Sequence, residues 1–232
     1  MNGILNKKNL FPLIMMCLAA VGITVTMILF TPKYLMVLPL YVSLFVSLLQ
    51  TRISRYAPLI GGVNSILYFV VYMYSGIPAT AFYALLFSCP LQIITFIRWT
   101  KHKRGSTTLL HKMTWKTRLF VALAFAAAWG AVYALSTVAG TGFAILDTTS
   151  SMLGILTTFL TMFAFIEYTA LQLVSGVTSI SLYVNMIASG KLEQIPFLVY
   201  AVYSLICFSL SVFRARRLYK EQHKDSDQVA QR

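Results

Sequence analysis

Apolar runs long enough to cross a lipid bilayer make up most of this chain, and they constrain its fold more than any other feature. Eight such runs can be counted, at residues 10–30, 34–50, 58–74, 77–97, 119–138, 147–166, 169–188 and 193–213. Since 58% of the residues are hydrophobic and only 11% are charged, with a mean hydropathy of +0.75, the composition excludes a soluble domain. The sequence therefore predicts one all-α, polytopic membrane domain over residues 1–232.

The third and seventh runs share a repeated segment. Residues 61–76 (GGVNSILYFVVYMYSG) align without a gap on residues 175–190 (SGVTSISLYVNMIASG), an offset of 114 positions, with seven identities in sixteen positions. The two spans are four apart and therefore run in the same direction. Parallel repeats of this kind are known in membrane transporters, with the substrate site at the interface of the repeats. The alternative to duplication is a shared composition of two helices rich in small residues.

The repeat predicts three plus one plus three helices, preceded by one additional helix. The predicted parts are an extra N-terminal helix at 10–30, a first repeat at 34–97, a basic cytoplasmic loop at 98–118, a linker helix at 119–138, a second repeat at 147–213 and a basic cytoplasmic tail at 214–232.

The basic residues are distributed unevenly along the chain. With eight spans, 17 of the 19 Lys and Arg residues fall on the side of both termini, and only Lys33 and Lys191 fall on the other side. Because short loops rich in Lys and Arg stay in the cytoplasm, this pattern predicts a multi-pass protein of the cell membrane with both termini cytoplasmic. Positive loops also explain the net charge of +13, so no nucleic-acid partner is expected.

Charged side chains are absent from the centres of the predicted spans. Ion-coupled carriers normally need such a group, so the sequence favours facilitated diffusion. Backbone carbonyls are an alternative way to hold sodium. The three histidines lie in basic segments without acidic or cysteine partners, so we expect no metal site and no cofactor. Motifs of membrane enzymes are missing, which indicates that the chain is not an enzyme.

Uncharged polar side chains recur inside the spans and define a candidate site. Asn64 and Tyr68 share one face of the third span, and the seventh span carries a similar polar face. The predicted substrate-binding residues are Asn64, Tyr68, Gln92, Gln172, Ser179, Tyr183 and Tyr200. Amides, hydroxyls and aromatic rings suit an uncharged or delocalised-cation ligand with a flat ring and hydroxyl groups, such as a sugar-bearing heterocycle. Hydrogen bonding between helices is the alternative role for the amides, and an interfacial position is the alternative for the tyrosines.

Several short motifs resemble the PnuC family of vitamin-precursor transporters, whose best-known member carries nicotinamide riboside. The matching positions are Gly61, Asn64, Leu67 and Tyr68 in the first half, Trp99 at the end of the fourth span, Leu146, Asp147 and Ser150, Glu167, and Ser179, Ile180, Leu182 and Tyr183. Riboside-carrying members have E-N-W-x-x-W where this chain has Glu167, Tyr168, Thr169 and Gln172. Both tryptophans, which are plausible stacking partners for a pyridine ring, are therefore replaced.

The resemblance implies a SWEET-like fold with parallel repeats, a homotrimer in lipid, and uptake without energy coupling that is driven by phosphorylation of the substrate inside the cell. The function it implies is a uniporter that imports nicotinamide riboside or a related vitamin precursor. Other readings are a thiamine or (deoxy)nucleoside transporter of the same family, the substrate-binding subunit of an ATP-driven vitamin importer, and a membrane receptor that transports nothing.

Overall fold

The structure, a computed structural model, describes residues 7–30, 34–74, 84–105, 107–138 and 144–230. Its helices are α1 (Lys7–Phe30), α2 (Leu38–Gln50), α3 (Tyr56–Tyr74), α4 (Cys89–Lys101), α5 (Trp115–Val138), α6 (Ala144–Met162), α7 (Tyr168–Ala188) and α8 (Ile195–Ala230). Each helix overlaps one predicted span, and within the described ranges the only strands are the two-residue pair β1 (Lys103–Arg104) and β2 (Thr107–Thr108). The all-α prediction is confirmed. The start of the fourth predicted span, residues 77–83, lies outside the described residues.

Four helical segments are long and apolar enough to cross a membrane, at Leu10–Phe30, Trp115–Leu135, Tyr168–Ala188 and Leu192–His223. Shorter apolar helices lie at Leu35–Gln50 and Tyr56–Val71. Their surfaces carry many exposed large apolar side chains, which suits contact with lipid rather than water. The chain is thus a helical membrane protein, and the count of eight spans stays a prediction.

The helices of the two predicted repeats pack in the same order. Each predicted repeat forms a triplet of helices: the first triplet is α2, α3 and α4, and the second triplet is α6, α7 and α8. In the first triplet α3 packs against both α2 and α4, and in the second triplet α7 packs against both α6 and α8. Glycines allow the closest approaches at equivalent positions of the repeat. A Cβ at Gly62 would lie 3.4 Å from Ile93 on α4, and a Cβ at Gly176 would lie 3.1 Å from Leu205 on α8. The third helix of each triplet therefore contacts the second at the same level.

The connection between the first two helices of each triplet is short and strained. Residues 51–55 join α2 to α3, and residues 163–167 join α6 to α7. Each connection holds one non-glycine residue with positive φ, Ile53 at 50° and Ala164 at 55°. Such a backbone is unfavourable for any residue other than glycine, and most of all for β-branched Ile53, so tertiary packing has to hold it. Both residues are buried in one apolar cluster, described next, which supplies that packing.

This cluster closes the end of the bundle that carries the basic connections. It joins Ile53, Trp99, Ala164 and Tyr168 to side chains of residues 107–113, which we call the strap. The strap runs along the α6–α7 connection: His111 N donates to Ala164 O at 2.9 Å, and Ile166 N donates to His111 O at 2.8 Å. The predicted basic loop is therefore ordered over most of its length, as an apolar cover with a charged outer surface.

Helix α8 continues well beyond its predicted end at Phe213 and includes nearly all of the predicted tail, up to Ala230. Buried Gln222 explains part of this extension. Its Oε1 accepts from Leu110 N and its Nε2 donates to Thr108 O, both at 3.0 Å, so the amide pairs with the strap as a neighbouring strand would. An exposed ion pair between Arg217 and Glu221, at 2.8 Å, adds a small contribution to the stability of this helical extension.

A second apolar cluster fixes α1 and α8 against the first triplet. It contains Ile23 of α1, Leu40 and Leu44 of α2, and Tyr203 and Cys207 of α8. The Tyr203 hydroxyl donates to Leu44 O at 3.2 Å, which satisfies a polar group inside this apolar region. The additional first helix therefore packs on the outside of both triplets.

Candidate functional site

A cavity of about 360 Å³ lies between the two triplets. Its wall is formed by α2, α3 and α4 on one side and by α6, α7 and α8 on the other, in the half of the bundle nearest the strap. The polar lining residues are Ser43, Gln50, Ser54, Asn64, Ser65, Tyr68, Ser88, Gln92, Thr95, Thr157, Thr158, Thr161, Tyr168, Gln172, Ser175 and Tyr200. Among the lining residues that the structure describes, none is Lys, Arg, His, Asp or Glu. The cavity is therefore polar but carries no formal charge.

One wall is built around Ser43 of α2. The Asn64 amide nitrogen donates to Ser43 Oγ at 2.8 Å, and the Tyr68 hydroxyl lies 3.4 Å from the same oxygen. Helical spacing places Gly61, Asn64 and Tyr68 on one face of α3, as the sequence predicted. The Asn64 nitrogen is thus used between helices, whereas its buried Oδ1 finds no hydrogen-bond partner in the described part of the chain.

Gln92 of α4 is fixed by two serines and one glycine. Its Nε2 donates to Ser65 Oγ and to Ser88 Oγ, both at 3.1 Å. A Cβ on Gly61 would overlap Gln92 Oε1, so only glycine allows this amide to lie against α3. The π-helical turn Ala84–Ser88 just before α4 places Ser88 here, next to Pro90, which cannot donate a helical hydrogen bond.

The opposite wall holds two further buried oxygens without partners. Thr157 Oγ1 on α6 and Gln172 Oε1 on α7 make no hydrogen bond to any described residue. An unpaired buried polar atom costs about 1–3 kcal/mol, so such groups are rare unless water or a ligand pairs with them. These two oxygens and Asn64 Oδ1 make three unpaired oxygens, which come from both triplets and surround one cavity. This concentration distinguishes the cavity from ordinary helix packing.

Aromatic side chains supply the remaining surface. Trp99 and Tyr168 stand at the strap end with ring centroids 6.2 Å apart, and the Trp99 indole donates to Thr161 O at 2.7 Å. Tyr200 of α8 lies 3.3 Å from Ser47 Oγ through its hydroxyl. Ile53, Trp99 and Tyr168 belong both to the cavity wall and to the apolar cluster under the strap, so that cluster closes the cavity on this side.

Five of the seven predicted binding residues line the cavity: Asn64, Tyr68, Gln92, Gln172 and Tyr200. Ser179 and Tyr183 do not. Ser179 lies 3.1 Å from Ser150 Oγ on α6, and the Tyr183 ring lies 5.9 Å from Phe197 on α8. The polar face of α7 runs the length of the helix, but the cavity ends near Ser175, and both residues lie beyond it.

Several wall residues were not predicted from the sequence, although the repeat offset contained a signal for some of them. Adding 114 to Ser43 gives Thr157, and adding it to Ser54 gives Tyr168; all four residues line the cavity. Carrying the offset beyond the matched segment would therefore have placed both pairs on the wall. Trp99 was noted only as a motif position.

A family model described as Nicotinamide mononucleotide transporter matches residues 33–213. The chain belongs to this family. The PnuC resemblance is thereby confirmed, and the protein is a membrane transporter, not an enzyme. A solved structure described as the vitamin B3 transporter PnuC superposes with a TM-score of 0.77 at 18% sequence identity, covering 96% of this chain and 95% of that chain. At this identity the likeness shows the shared PnuC-type fold. No curated protein matches the chain.

The position of Gln92 can be tested with two glycine variants. Gly61→Ala forces the end of the Gln92 side chain away from α3, which breaks its hydrogen bonds to Ser65 and Ser88 at a cost of about 0.5–1.5 kcal/mol each. We expect a lower melting temperature for the ligand-free protein. Gly154→Ala is the matched control, because Gly154 also lines the cavity but a Cβ there meets nothing within 4 Å. Equal melting temperatures for the two variants would contradict this geometry.

Proposed function

We propose that the protein is a uniporter that imports nicotinamide riboside, or a closely related uncharged or delocalised-cation vitamin precursor, across the cell membrane. The observation that carries the proposal is the cavity between the triplets, whose described lining combines unpaired amide and hydroxyl oxygens with aromatic rings and includes no charged side chain. Its volume of about 360 Å³ falls in the range of small-molecule sites. Membership of the family supports a vitamin B3 precursor as the cargo.

The lining favours a nucleoside over a nucleotide, although the family description names a mononucleotide. A phosphate carries up to two negative charges and is normally bound by Arg, Lys or clustered backbone N–H groups. The described wall of the cavity offers no basic side chain. Burying a phosphate there would leave its charge unpaired in a low dielectric, which is strongly unfavourable. Phosphorylation in the cytoplasm would then trap the imported riboside, because the product no longer fits the cavity.

The proposed binding residues follow from the unpaired atoms. Asn64 and Gln172, one from each triplet, bond the hydroxyl or carboxamide groups of the ligand, and Gln92 contributes its Oε1 beside Gly61. Tyr68 and Tyr200 provide ring contacts, and to these we add Trp99 and Tyr168 at the strap end. Ser179 and Tyr183 are not retained, because both lie outside the cavity.

The replacement of both tryptophans supports a second candidate for the transported molecule. Thr169 is buried, its hydroxyl donates to Ile166 O at 2.9 Å, and it does not line the cavity. Gln172 does line the cavity, so an amide stands where riboside-carrying members of the family have an indole. This exchange favours a ligand with more hydrogen-bonding groups, such as a deoxynucleoside, or thiamine with its aminopyrimidine.

We further propose eight spans, SWEET-like parallel repeats, a homotrimer and cytoplasmic termini. The shared packing order of the triplets supports the repeats, and the asymmetry of the basic residues supports the orientation. An impermeant thiol reagent checks the orientation in intact cells. It should label a cysteine at Lys191 and leave a cysteine at Lys103 unlabelled, and the reverse pattern would exclude this topology.

Uptake into vesicles tests both cargo and energetics. Protein reconstituted in liposomes without any kinase should equilibrate labelled nicotinamide riboside to equal concentrations inside and outside, with no uptake of the mononucleotide above protein-free vesicles. Proton and sodium ionophores should leave the plateau unchanged, because none of the described residues that line the cavity is charged. Thiamine and deoxynucleosides complete the panel. Entry of the mononucleotide at a comparable rate, or accumulation that an ionophore abolishes, would contradict the proposal.

Alanine variants test the two unpaired amides. Losing one hydrogen bond to a neutral ligand group costs about 0.5–1.5 kcal/mol, which raises the dissociation constant roughly threefold to tenfold. We expect this for Asn64→Ala and Gln172→Ala, measured by calorimetry with nicotinamide riboside or with whichever panel compound is transported. Ser179→Ala is the control, since it removes a bonded hydroxyl of α7 outside the cavity. Melting temperatures of the same ligand-free samples separate binding from packing, and unchanged affinity for both amide variants would exclude their role.

A further inference from the structure

A second cleft, of about 440 Å³, lies at the strap end between the start of α7, the end of the strap and α8. Its wall is separate from the transport cavity, with which it shares no lining residue. The charged and aromatic residues of the cleft are Lys112, Arg118, Glu167, Arg216, Tyr219 and Lys220. Four cations and one carboxylate therefore meet at the boundary between the apolar helices and the charged extension of α8.

Glu167 neutralises only part of this charge. Its carboxylate accepts from Arg118 Nη2 at 2.6 Å and from Met113 N at 3.1 Å, so it is already occupied by α5 and the strap. The acidic residue nearest along α8, Glu221, pairs with Arg217 at 2.8 Å. Within the described chain, no ion pair joins Lys112, Arg216 or Lys220 to a carboxylate. These three exposed cations therefore have no carboxylate partner among the described side chains and can bind an anion.

The rest of the cleft is apolar and leads along the membrane. Ile166, Ala170 and Val212 line it. On α7, Val174 and Val177 follow Ala170 by four and seven residues, which places them on the same helical face, and each is about half exposed. A cationic pocket at the end of an apolar, lipid-exposed helix face is complementary to an anionic phospholipid, which has a negatively charged headgroup with acyl chains attached.

We propose that this cleft binds an anionic phospholipid. Lys112, Arg216 and Lys220 hold the headgroup phosphate, and an acyl chain follows Ala170, Val174 and Val177 of α7. The lipid would join the strap, through Lys112, to the helical extension, through Lys220. The same two elements are already connected by the Gln222 amide. Lipid binding therefore stabilises the cover of the closed end of the transport cavity, independently of which cargo is carried.

The test compares ligands on the purified full-length protein in a neutral detergent. Phosphatidylglycerol should raise the melting temperature in a saturable way, whereas phosphatidylcholine, inorganic phosphate and glycerol phosphate at equal concentration should not. A response to inorganic phosphate as large as that to the lipid would indicate a free-anion site and overturn the proposal. A melting temperature that depends on protein concentration and not on lipid would show that a second copy covers the cleft, which would also overturn it.

Two charge variants test the residues. Lys112→Gln/Arg216→Gln/Lys220→Gln should bind phosphatidylglycerol roughly 100-fold more weakly, because each basic residue near an anionic lipid contributes about a fivefold factor. Lys101→Gln/Lys103→Gln/Lys116→Gln removes the same charge from exposed positions outside the cleft and should bind normally. Equal losses in both triple variants would reduce the effect to general electrostatics and contradict a site.

A third variant tests the apolar wall without changing any charge. Ala170→Phe fills the start of the proposed acyl groove, and Ala170 is exposed, so the bundle itself has no need to rearrange. We expect at least a fivefold weaker response to phosphatidylglycerol, with an unchanged melting temperature in the absence of lipid. An undiminished lipid response in this variant would show that the acyl chains lie elsewhere, against the proposal.

Discussion

Every polar group inside a bilayer has to find its partner within the protein, and the rest of this structure depends on that constraint. The helices satisfy their own backbones, and many hydroxyls donate to a carbonyl one turn back, as Thr95 does to Leu91 O at 2.7 Å and Thr158 to Gly154 O at 2.9 Å. The requirement is left unmet at the cavity, where oxygens of Asn64, Thr157 and Gln172 have no partner among the described residues. The candidate site is thus the place where the membrane interior offers hydrogen-bond partners to a polar molecule without a localised charge.

At the closed end of the bundle, polar groups likewise find their hydrogen-bond partners within the protein. The strap brings apolar side chains into the cluster around Trp99 and Tyr168, and it pairs its backbone with the α6–α7 connection and with the Gln222 amide. Trp99 of the first triplet also bonds a carbonyl of Thr161 in the second, which ties the two halves together at the floor of the cavity. A cargo that left the cavity toward the strap would have to separate these contacts.

Helix positions and the polar face of α3 could be predicted because they depend on local patterns: apolar length, breakers and a spacing of three and four residues. The depth at which the cavity ends could not be predicted, because Ser179 continues the polar face of α7 but bonds Ser150 and does not line the cavity. The ordered strap and the extension of α8 were missed because charged sequence indicates solvent contact, whereas Leu110 and Gln222 bury a surface that only the folded chain brings together. The positions of Ser43 and Thr157 on the cavity wall could have been predicted, because the repeat offset relates the two residues.

We propose that the cargo binds in the cavity between the triplets, and protection of a single cysteine tests this proposal most directly. In a protein with Cys17, Cys89 and Cys207 replaced by alanine, a cysteine is introduced at Gly154, where a Cβ meets open space in the cavity wall. Saturating nicotinamide riboside, or the panel compound that is transported, should slow its reaction with a small thiol reagent. It should leave a cysteine at Asn185, exposed near the far end of α7, unaffected. Equal labelling rates at Gly154 with and without the cargo would contradict the account.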